Sequence, residues 1–272
     1  RPALVADIDD WHIATNPPPA VGGAVLTAML LACGDLHASD WDSASLDKLI
    51  RVQRACLDFR RDRLDIAEDV DEAAAELIRA AQQGRFLSQW SSSSTVHTSA
   101  VDESGIACAV TASSGYGSGE MPDGTGLWLN NGLGEIELNR RDVDSREPGE
   151  RLPSNMAPTV ARSSNATMAI GSPGADRITT AIHQVLVNTL QFGMPLADAI
   201  AHPRLHVDTT GEVDKLRAEP GLDLPALDLP LQSFPDINMY FGGVSVATFD
   251  RRSGFEVAAD ARREGGIFLS DA

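Results

Sequence analysis

The chain has 272 residues, of which 43% are hydrophobic, and its 39 Asp and Glu against 22 Lys and Arg give a formal net charge of −17. This size and composition fit a globular protein of one large or two small domains, and the acidic balance disfavours nucleic acids and anionic membranes as partners because binding them requires clustered Lys and Arg. No apolar run reaches the roughly 18 to 20 residues that a membrane span needs.

Residues 1–94 are predicted to be mostly helical. Residues 22–33 are almost continuously apolar and follow a proline-rich turn, which indicates a helix that is packed on all sides. Apolar residues recur at helical spacing, with charges between them, in residues 43–63 and 70–83, which predicts two amphipathic helices. The stretch 85–94 lacks periodicity and ends in four serines, so we expect an exposed, cleavable linker there.

After the serines the pattern changes to strands, and we place a domain boundary between residues 94 and 95. Strands are predicted at residues 95–101, 106–112, 126–130, 159–162, 167–171, 213–218, 244–249 and 255–258. The first three are expected to form a meander, and a further helix is predicted at residues 177–192. Strands that alternate with helices favour an α/β (α+β) fold in which two sheets lie between helix layers.

Thr95 begins a predicted strand directly after the serine tract. If the peptide bond between Ser94 and Thr95 is cut, Thr95 gains a free α-amine beside its hydroxyl group. The hydroxyl can then attack a carbonyl carbon while the amine, with a pKa of about 8, accepts the proton near working pH. On these residues alone, a serine-rich linker followed by an ordinary structural strand explains the pattern more simply.

Six separate stretches, in one order along the chain, resemble motifs of the γ-glutamyltranspeptidase family of N-terminal-nucleophile hydrolases. They are NPPPAVGG (16–23), TVHTSAVD (95–102), GTGLWLNN (124–131), RLPSNMAPT (151–159), GSPGADRI (171–178) and AHPRLHV (201–207). The resemblance implies a four-layer αββα sandwich and a precursor that cuts itself into a large and a small subunit, here residues 1–94 and 95–272. It begins late in the large subunit, so we expect the N-terminal half of that subunit to be a separate segment or chain, to have been removed, or to be missing from a fragment.

The resemblance implies a set of catalytic residues. Thr95 matches the nucleophile, and the bond between Ser94 and Thr95 matches the cleavage site. Ser113 stands where the family usually has a threonine whose hydroxyl bonds to the amine of the nucleophile. Backbone N–H groups of Gly174 and Ala175 would bind the developing oxyanion, just before a predicted helix whose N-terminus favours negative charge.

The resemblance also implies how a substrate is bound. Ser154 and Asn155 match residues that contact the substrate α-carboxylate, Glu135 matches one that contacts its α-amino group, and Ser114 is the nearest match to an asparagine of the same site. The implied substrate is a small γ-glutamyl (glutathione-like) amide, whose acyl group passes to water or to an amine, with no cofactor. The family has glutamine where Gly132 stands and aspartate where Glu135 stands. A diverged member, such as a β-lactam-type acylase or a secondary-metabolism hydrolase, is therefore an alternative.

Two other classes of site were weighed. His202 and His206 are four residues apart, but the proline between them interrupts the helix that would align them, so no metal site is predicted. Cys33, Cys56 and Cys108 lie among apolar neighbours and are predicted to be reduced core residues rather than a disulfide framework. An inactive remnant that serves as a binding or subunit module remains the alternative of a different class.

Overall fold

The computed structural model describes residues 1–34, 36, 40–83, 95–135, 147–209 and 213–270. Its strands are β1 (Leu4–Ile8), β2 (Trp11–Thr15), β3 (Val96–Val101), β4 (Ala107–Ala112), β5 (Thr159–Arg162), β6 (Ala166–Gly171), β7 (Leu205–Asp208), β8 (Lys215–Ala218), β9 (Leu231–Ser233), β10 (Ser245–Asp250) and β11 (Gly254–Ala259). Its α-helices are α1 (Val21–Cys33), α2 (Ser43–Phe59), α3 (Val70–Gln83), α4 (Arg177–Leu186) and α5 (Leu196–Ala201). None of these helices is both long and apolar enough to cross a membrane.

The centre of the fold is a six-stranded antiparallel sheet in the order β1-β2-β5-β6-β10-β11. The hairpin β3–β4 packs on one face of this sheet, against β5, β6 and β10, while α1 and α4 cover the other face. Five of the six residues of β6 are buried because this strand lies between the two layers. The predicted sandwich is thus confirmed for three layers, helix, sheet and sheet.

A second apolar core lies between α1, α2, α3 and the strands β7 and β8. Because α1 is shared by both cores, residues on all its sides are buried, as its continuous apolar sequence predicts. Both amphipathic helices are also confirmed, and α2 begins where the Asp42 carboxylate accepts the N–H of Ser45 at 2.7 Å. One π-helical turn, Arg60–Leu64, extends α2.

Some predicted elements differ from the structure. Residues 1–94 are not mostly helical at their start, because β1 and β2 form one edge of the same sheet that the later residues build. Residues 126–130 do not form the third strand of a meander. Only an isolated bridge between Gly115 and Asn131 forms there, since the intervening loop is exposed and turns at glycines with positive φ. The predicted serine linker and its Ser94 lie outside the described residues.

The outer face of the β3–β4 hairpin is exposed and apolar. Val96 and Val110 are 68% and 54% exposed, and Cys108, on the same face, is exposed as well. The prediction that all three cysteines are core residues is therefore wrong for Cys108, although Cys33 and Cys56 are buried. Strand alternation explains the difference, since every second residue of β4 points away from the central sheet.

A pair of buried carboxylates joins α2 to the start of β8. The two are Asp58 of α2 and Asp214, and Arg54 forms a salt bridge with each. Its Nε lies 2.8 Å from Oδ2 of Asp214 and 3.8 Å from Oδ2 of Asp58. Burial, followed by the negative charge of Asp214, raises the pKa of the Asp58 carboxyl from 3.8 to about 7. Asp58 therefore holds a proton in the folded protein at pH values where it is ionised in the unfolded chain.

We expect Asp58 to make the folded state less stable as the pH rises. A raised folded pKa gives stability that is complete below the unfolded value of 3.8 and is lost as the pH passes through about 7. Urea unfolding from about pH 5 to about pH 8 should therefore show wild type losing stability relative to Asp58→Asn, which cannot titrate. Asp47→Asn, which removes the i,i+4 partner of Arg51 on the same helix, is the control. Its free energy of unfolding should differ from that of wild type by the same amount at each pH. Parallel profiles for wild type and Asp58→Asn would contradict the prediction.

Candidate active site

Thr95 and Ser113 lie opposite each other at the open end of the β3–β4 hairpin. The antiparallel register pairs Val96 with Ala112, so the next residues outward are Thr95 and Ser113. Residues directly opposite in such a pair have Cβ atoms about 4.5 to 5.5 Å apart. The N–H of Gly115 donates to Oγ of Ser113 at 3.1 Å. This arrangement allows a hydrogen bond between the Ser113 hydroxyl and an amine on Thr95.

Six of the eight predicted site residues in the described part of the chain line one cavity of about 250 Å³. These six, drawn from five separate stretches, are Thr95, Ser113, Glu135, Ser154, Asn155 and Ala175. The other two are chain neighbours of lining residues. Gly174 precedes Ala175, and Ser114 is exposed and contributes its carbonyl, which accepts the N–H groups of Gly117 and Asn131.

The 174–176 loop has a backbone shape suited to binding an anion. Gly174 and Ala175 both have positive φ, +133° and +59°, directly before α4. A Cβ on Gly174 would lie 2.7 Å from the Cα of Gly242, so only glycine fits at this position. Left-handed backbone at a non-glycine residue such as Ala175 is unfavourable and concentrates at functional sites. N–H groups at a helix N-terminus lack intrahelical acceptors and carry partial positive charge, so the loop can stabilise an oxyanion at the cavity.

The 154–156 turn is bonded to the segments around it. The N–H of Gly22 donates to the carbonyl of Ser154 at 3.1 Å. The side-chain amide of Asn155 donates to the carbonyl of Ala175 at 2.5 Å and accepts from Arg60 at 2.9 Å. Both ends of that amide thus have protein partners, and Asn155 is only 5% exposed. Ser154 is the more accessible of the two residues predicted to meet a substrate carboxylate.

Two carboxylates lie in the described lining of the cavity. Glu135 is 7% exposed, and its Oε1 lies so close to Gly115 that a Cβ there would come within 2.6 Å of it. Asp176 is the second acidic residue of the lining. Among the described lining residues there is no Lys, Arg or His. A carboxylate at the wall of a cavity can pair with a cationic group of a ligand.

His97 of β3 packs against the central sheet. Its Nδ1 lies 2.7 Å from Oγ1 of Thr111 and its Nε2 lies 2.9 Å from Oγ of Ser99. The ring occupies the space that a side chain on Gly171 of β6 would fill. Burial lowers the pKa of the His97 imidazole to about 4, so the ring is neutral near pH 7 and packs between the two sheets.

The two histidines that were weighed as metal ligands have protein partners. Nδ1 of His206 lies 3.0 Å from Oγ1 of Thr180, and burial lowers the pKa of His206 to about 3. Nδ1 of His202 donates to the carbonyl of Pro203 at 3.0 Å. Across the described ranges, no group of three or more His, Cys, Asp or Glu is placed to hold a metal ion.

Two polar residues of the site were missed by the sequence analysis. Asp176 lines the cavity, and its Oδ1 lies 3.2 Å from Nη1 of Arg60, which is fully buried. A signal for Arg60 was available, because it lies four residues after the buried Cys56, on the apolar side of the predicted helix. A signal for Asp176 was its place before a helix, where the helix dipole favours an acidic residue.

Comparison with known proteins identifies the family. The family model described as γ-glutamyltranspeptidase matches residues 1–270, which is nearly the whole chain. The chain belongs to the γ-glutamyltranspeptidase family. The resemblance found in the six sequence motifs is thereby confirmed.

Curated relatives share this family across most of the chain. The glutathione hydrolase proenzyme of Escherichia coli is 25% identical over 265 residues, which cover 84% of this chain and 45% of the relative. The corresponding protein of Bacillus subtilis is 24% identical and is covered over 51% of its length. The chain thus spans about half the length of the curated relatives that it matches.

Solved structures agree with the fold. A γ-glutamyltranspeptidase from Pseudomonas nitroreducens, solved with L-DON, is 26% identical with a TM-score of 0.53, and the match covers 64% of this chain and 99% of that one. A cephalosporin acylase from Bacillus halodurans matches 99% of this chain and 53% of its own, with a TM-score of 0.70. At 19% identity, this second likeness shows the shared fold alone.

Proposed function

We propose that this chain carries the reactive site of a self-processing γ-glutamyltranspeptidase-type enzyme that cleaves γ-glutamyl amides through an acyl-enzyme on Thr95. The main support is that six predicted site residues, from five stretches of chain and with Thr95 among them, line one cavity. The proenzyme names of the relatives support self-processing in this family. The match to the Pseudomonas chain covers 64% of this one, about the share that residues 95–272 make up.

Self-processing would begin with the hydroxyl of Thr95 in the intact chain. Its oxygen attacks the carbonyl carbon of Ser94, and the peptide C–N bond breaks as the nitrogen is protonated, which leaves an ester. This step frees the α-amine of Thr95, and water then hydrolyses the ester, which regenerates the Thr95 hydroxyl and leaves a carboxylate on Ser94. The amine so produced is the general base for the next reaction.

The same hydroxyl would then attack the substrate amide. The α-amine of Thr95, held by the Ser113 hydroxyl, accepts the proton and passes it to the leaving amine when the C–N bond breaks. N–H groups of Gly174 and Ala175 would stabilise the tetrahedral oxyanion. Removing one such donor typically raises a barrier by about 3 to 4 kcal/mol. Water or a second amine then attacks the acyl-enzyme and regenerates Thr95.

Glu135 and Ser154 support a substrate whose acyl group carries an amino group and a carboxylate. Glu135 would pair with the α-ammonium of a γ-glutamyl group, and Ser154 would donate to its α-carboxylate. Gly132 has no side chain that could bind the α-ammonium as well. The described lining also has no cation that could pair with the α-carboxylate. The absence of a side chain at Gly132 favours a second candidate, an acylase for a related acyl group that lacks the α-amino function.

A pair of matched substrates separates the two candidates. The complete gene product should be recovered as two fragments cut before Thr95, as measured by mass spectrometry, and should hydrolyse γ-glutamyl-p-nitroanilide. Glutaryl-p-nitroanilide lacks only the α-amino group, so an ion pair with Glu135 predicts a kcat/KM at least about 100-fold lower. A preference for the glutaryl substrate would favour the acylase. An uncut protein that is inactive on both would favour the inactive binding module.

A further inference from the structure

Arg60 is a fully buried cation that contacts two walls of the cavity. It begins the π-helical turn Arg60–Leu64 after α2 and is 0% exposed. Its Nη1 lies 2.9 Å from Oδ1 of Asn155 and 3.2 Å from Oδ1 of Asp176. Its Nε lies 3.1 Å from Oδ1 of Asp65, which does not line the cavity. Arg60 does not line the cavity, so it reaches the site through these neighbours.

These contacts close a ring of bonds between the 154–156 turn and the 174–176 loop. Asn155 accepts from Arg60 and donates to the carbonyl of Ala175. Asp176, the next residue after Ala175, is bonded back to Arg60. Each loop is therefore fixed to the same guanidinium, which sets the separation of the two loops. A rigid link of this kind matters because moving a donor by about 1 Å from its productive position can lower the rate about 100-fold.

The charge of Arg60 is matched to its surroundings. Burial opposes the charged form, but the carboxylates of Asp65 and Asp176 outweigh burial and raise the pKa of the Arg60 guanidinium above its ordinary value. The cation in turn neutralises Asp176 at the cavity wall. Asp65 shares the same guanidinium.

We propose that Arg60 is a positioning residue, which holds the oxyanion loop at a fixed distance from the substrate-binding turn and so acts on the rate of acyl transfer. The inference rests on the proposed function of Thr95 and of the two loops. A guanidinium is needed because its planar fork serves three acceptors in fixed directions, whereas a lysine ammonium on a flexible stem does not. The expected signature is a loss in kcat, since the oxyanion forms only in the transition state.

Arg60→Lys in the complete gene product tests the proposal. We expect the single-turnover acylation rate of Thr95 by γ-glutamyl-p-nitroanilide to fall about 100-fold, with KM within about threefold of wild type. Arg63→Lys is the matched control, because Arg63 pairs with Glu76 at the surface a few residues along the chain, and its rates should be unchanged. The acylation rate constant does not depend on how much enzyme is folded, so a merely structural role would lower the melting temperature and leave this rate intact.

Other results for Arg60→Lys would also support or overturn the proposed role of Arg60. Folded Arg60→Lys protein that stays uncut before Thr95 would also support the proposal. The effect would then fall on self-cleavage, which precedes acylation and also passes through an oxyanion. A variant that is cut and acylates within threefold of wild type would overturn it. If Arg60→Lys does not fold, Asn155→Ala keeps both ion pairs of Arg60 and removes the two bonds by which Asn155 joins Arg60 to the carbonyl of Ala175. A wild-type acylation rate in that variant would overturn the proposal. If wild type itself is neither cut nor acylated, the proposed function fails and not this inference.

Discussion

Thr95→Ala should leave the protein folded and uncut and should lower hydrolysis of γ-glutamyl-p-nitroanilide by about 10⁴-fold to 10⁶-fold. The variant lacks the oxygen that attacks both the Ser94 carbonyl and the substrate. It also never gains the α-amine that accepts the proton. A loss of this size is expected where one residue supplies both nucleophile and base, because neither function has a substitute in the site. Mass spectrometry and a p-nitroaniline release assay measure the two effects.

Thr95→Ser is the matched control for this prediction. It keeps a hydroxyl and, after cleavage, an α-amine, so it should be cut and retain activity, with rates reduced because the methyl group no longer restricts the rotamer. Thr95 is only partly buried, so neither change should alter stability much. Hydrolysis by an uncut protein, or by Thr95→Ala at the wild-type rate, would rule out the N-terminal nucleophile.

Local patterns account for the elements that the sequence analysis predicted well. The helices α2 and α3 have apolar residues at helical spacing, and the β3–β4 hairpin alternates around a short polar turn. Each of these signals is complete within about 15 residues. The antiparallel hairpin then determines, without any further contact, that Thr95 and Ser113 are opposite.

Elements that depend on distant partners could not be predicted in the same way. β1 and β2 are five residues each, and β2 is held by β5, about 145 residues later in the chain. All three residues of β9 are exposed, so it has no apolar pattern, and it exists as a strand because it pairs in parallel with β8. Conversely, residues 126–130 have a strand-like composition but find no neighbouring strand.

The residues of the site also divide into those with a local sequence signal and those that depend on distant partners. Motif resemblance was enough to choose Thr95 and Ser113 as site residues, because both lie at positions of the family motifs, although the family usually has threonine where Ser113 stands. The roles of these residues remain predictions until they are tested. Arg60 is joined to its partners Asn155 and Asp176 across 95 and 116 residues. Only the folded chain shows that a helix end, a turn and a loop share one guanidinium.

Gly22→Ala should disturb the site from a position that has no reactive group. A Cβ on Gly22 of α1 would lie 2.2 Å from the carbonyl oxygen of Asn155 and 2.8 Å from that of Met156, both of them backbone atoms. Either α1 or the 154–156 turn must move, and overpacking of this kind costs about 1 to 3 kcal/mol, occasionally more. We expect a free energy of unfolding lower by about 2 kcal/mol, measured by urea unfolding. The displaced turn should also raise KM and lower kcat in the protein that remains folded.

Gly34→Ala is the matched control at the other end of the same helix. Gly34 has φ −61°, and a Cβ there would make only ordinary contacts of 3.5 Å with the carbonyl oxygens of Leu30 and Leu31. The same substitution should therefore be neutral or should stabilise the protein by about 0.4 to 1 kcal/mol, because it restricts the unfolded chain without straining the folded one. Equal effects of the two variants would show that the approach of α1 to Asn155 is not what shapes the cavity. A loss confined to Gly22→Ala would mean that the first glycine of the pair in the NPPPAVGG motif is required because the 154–156 turn rests directly on the helix backbone.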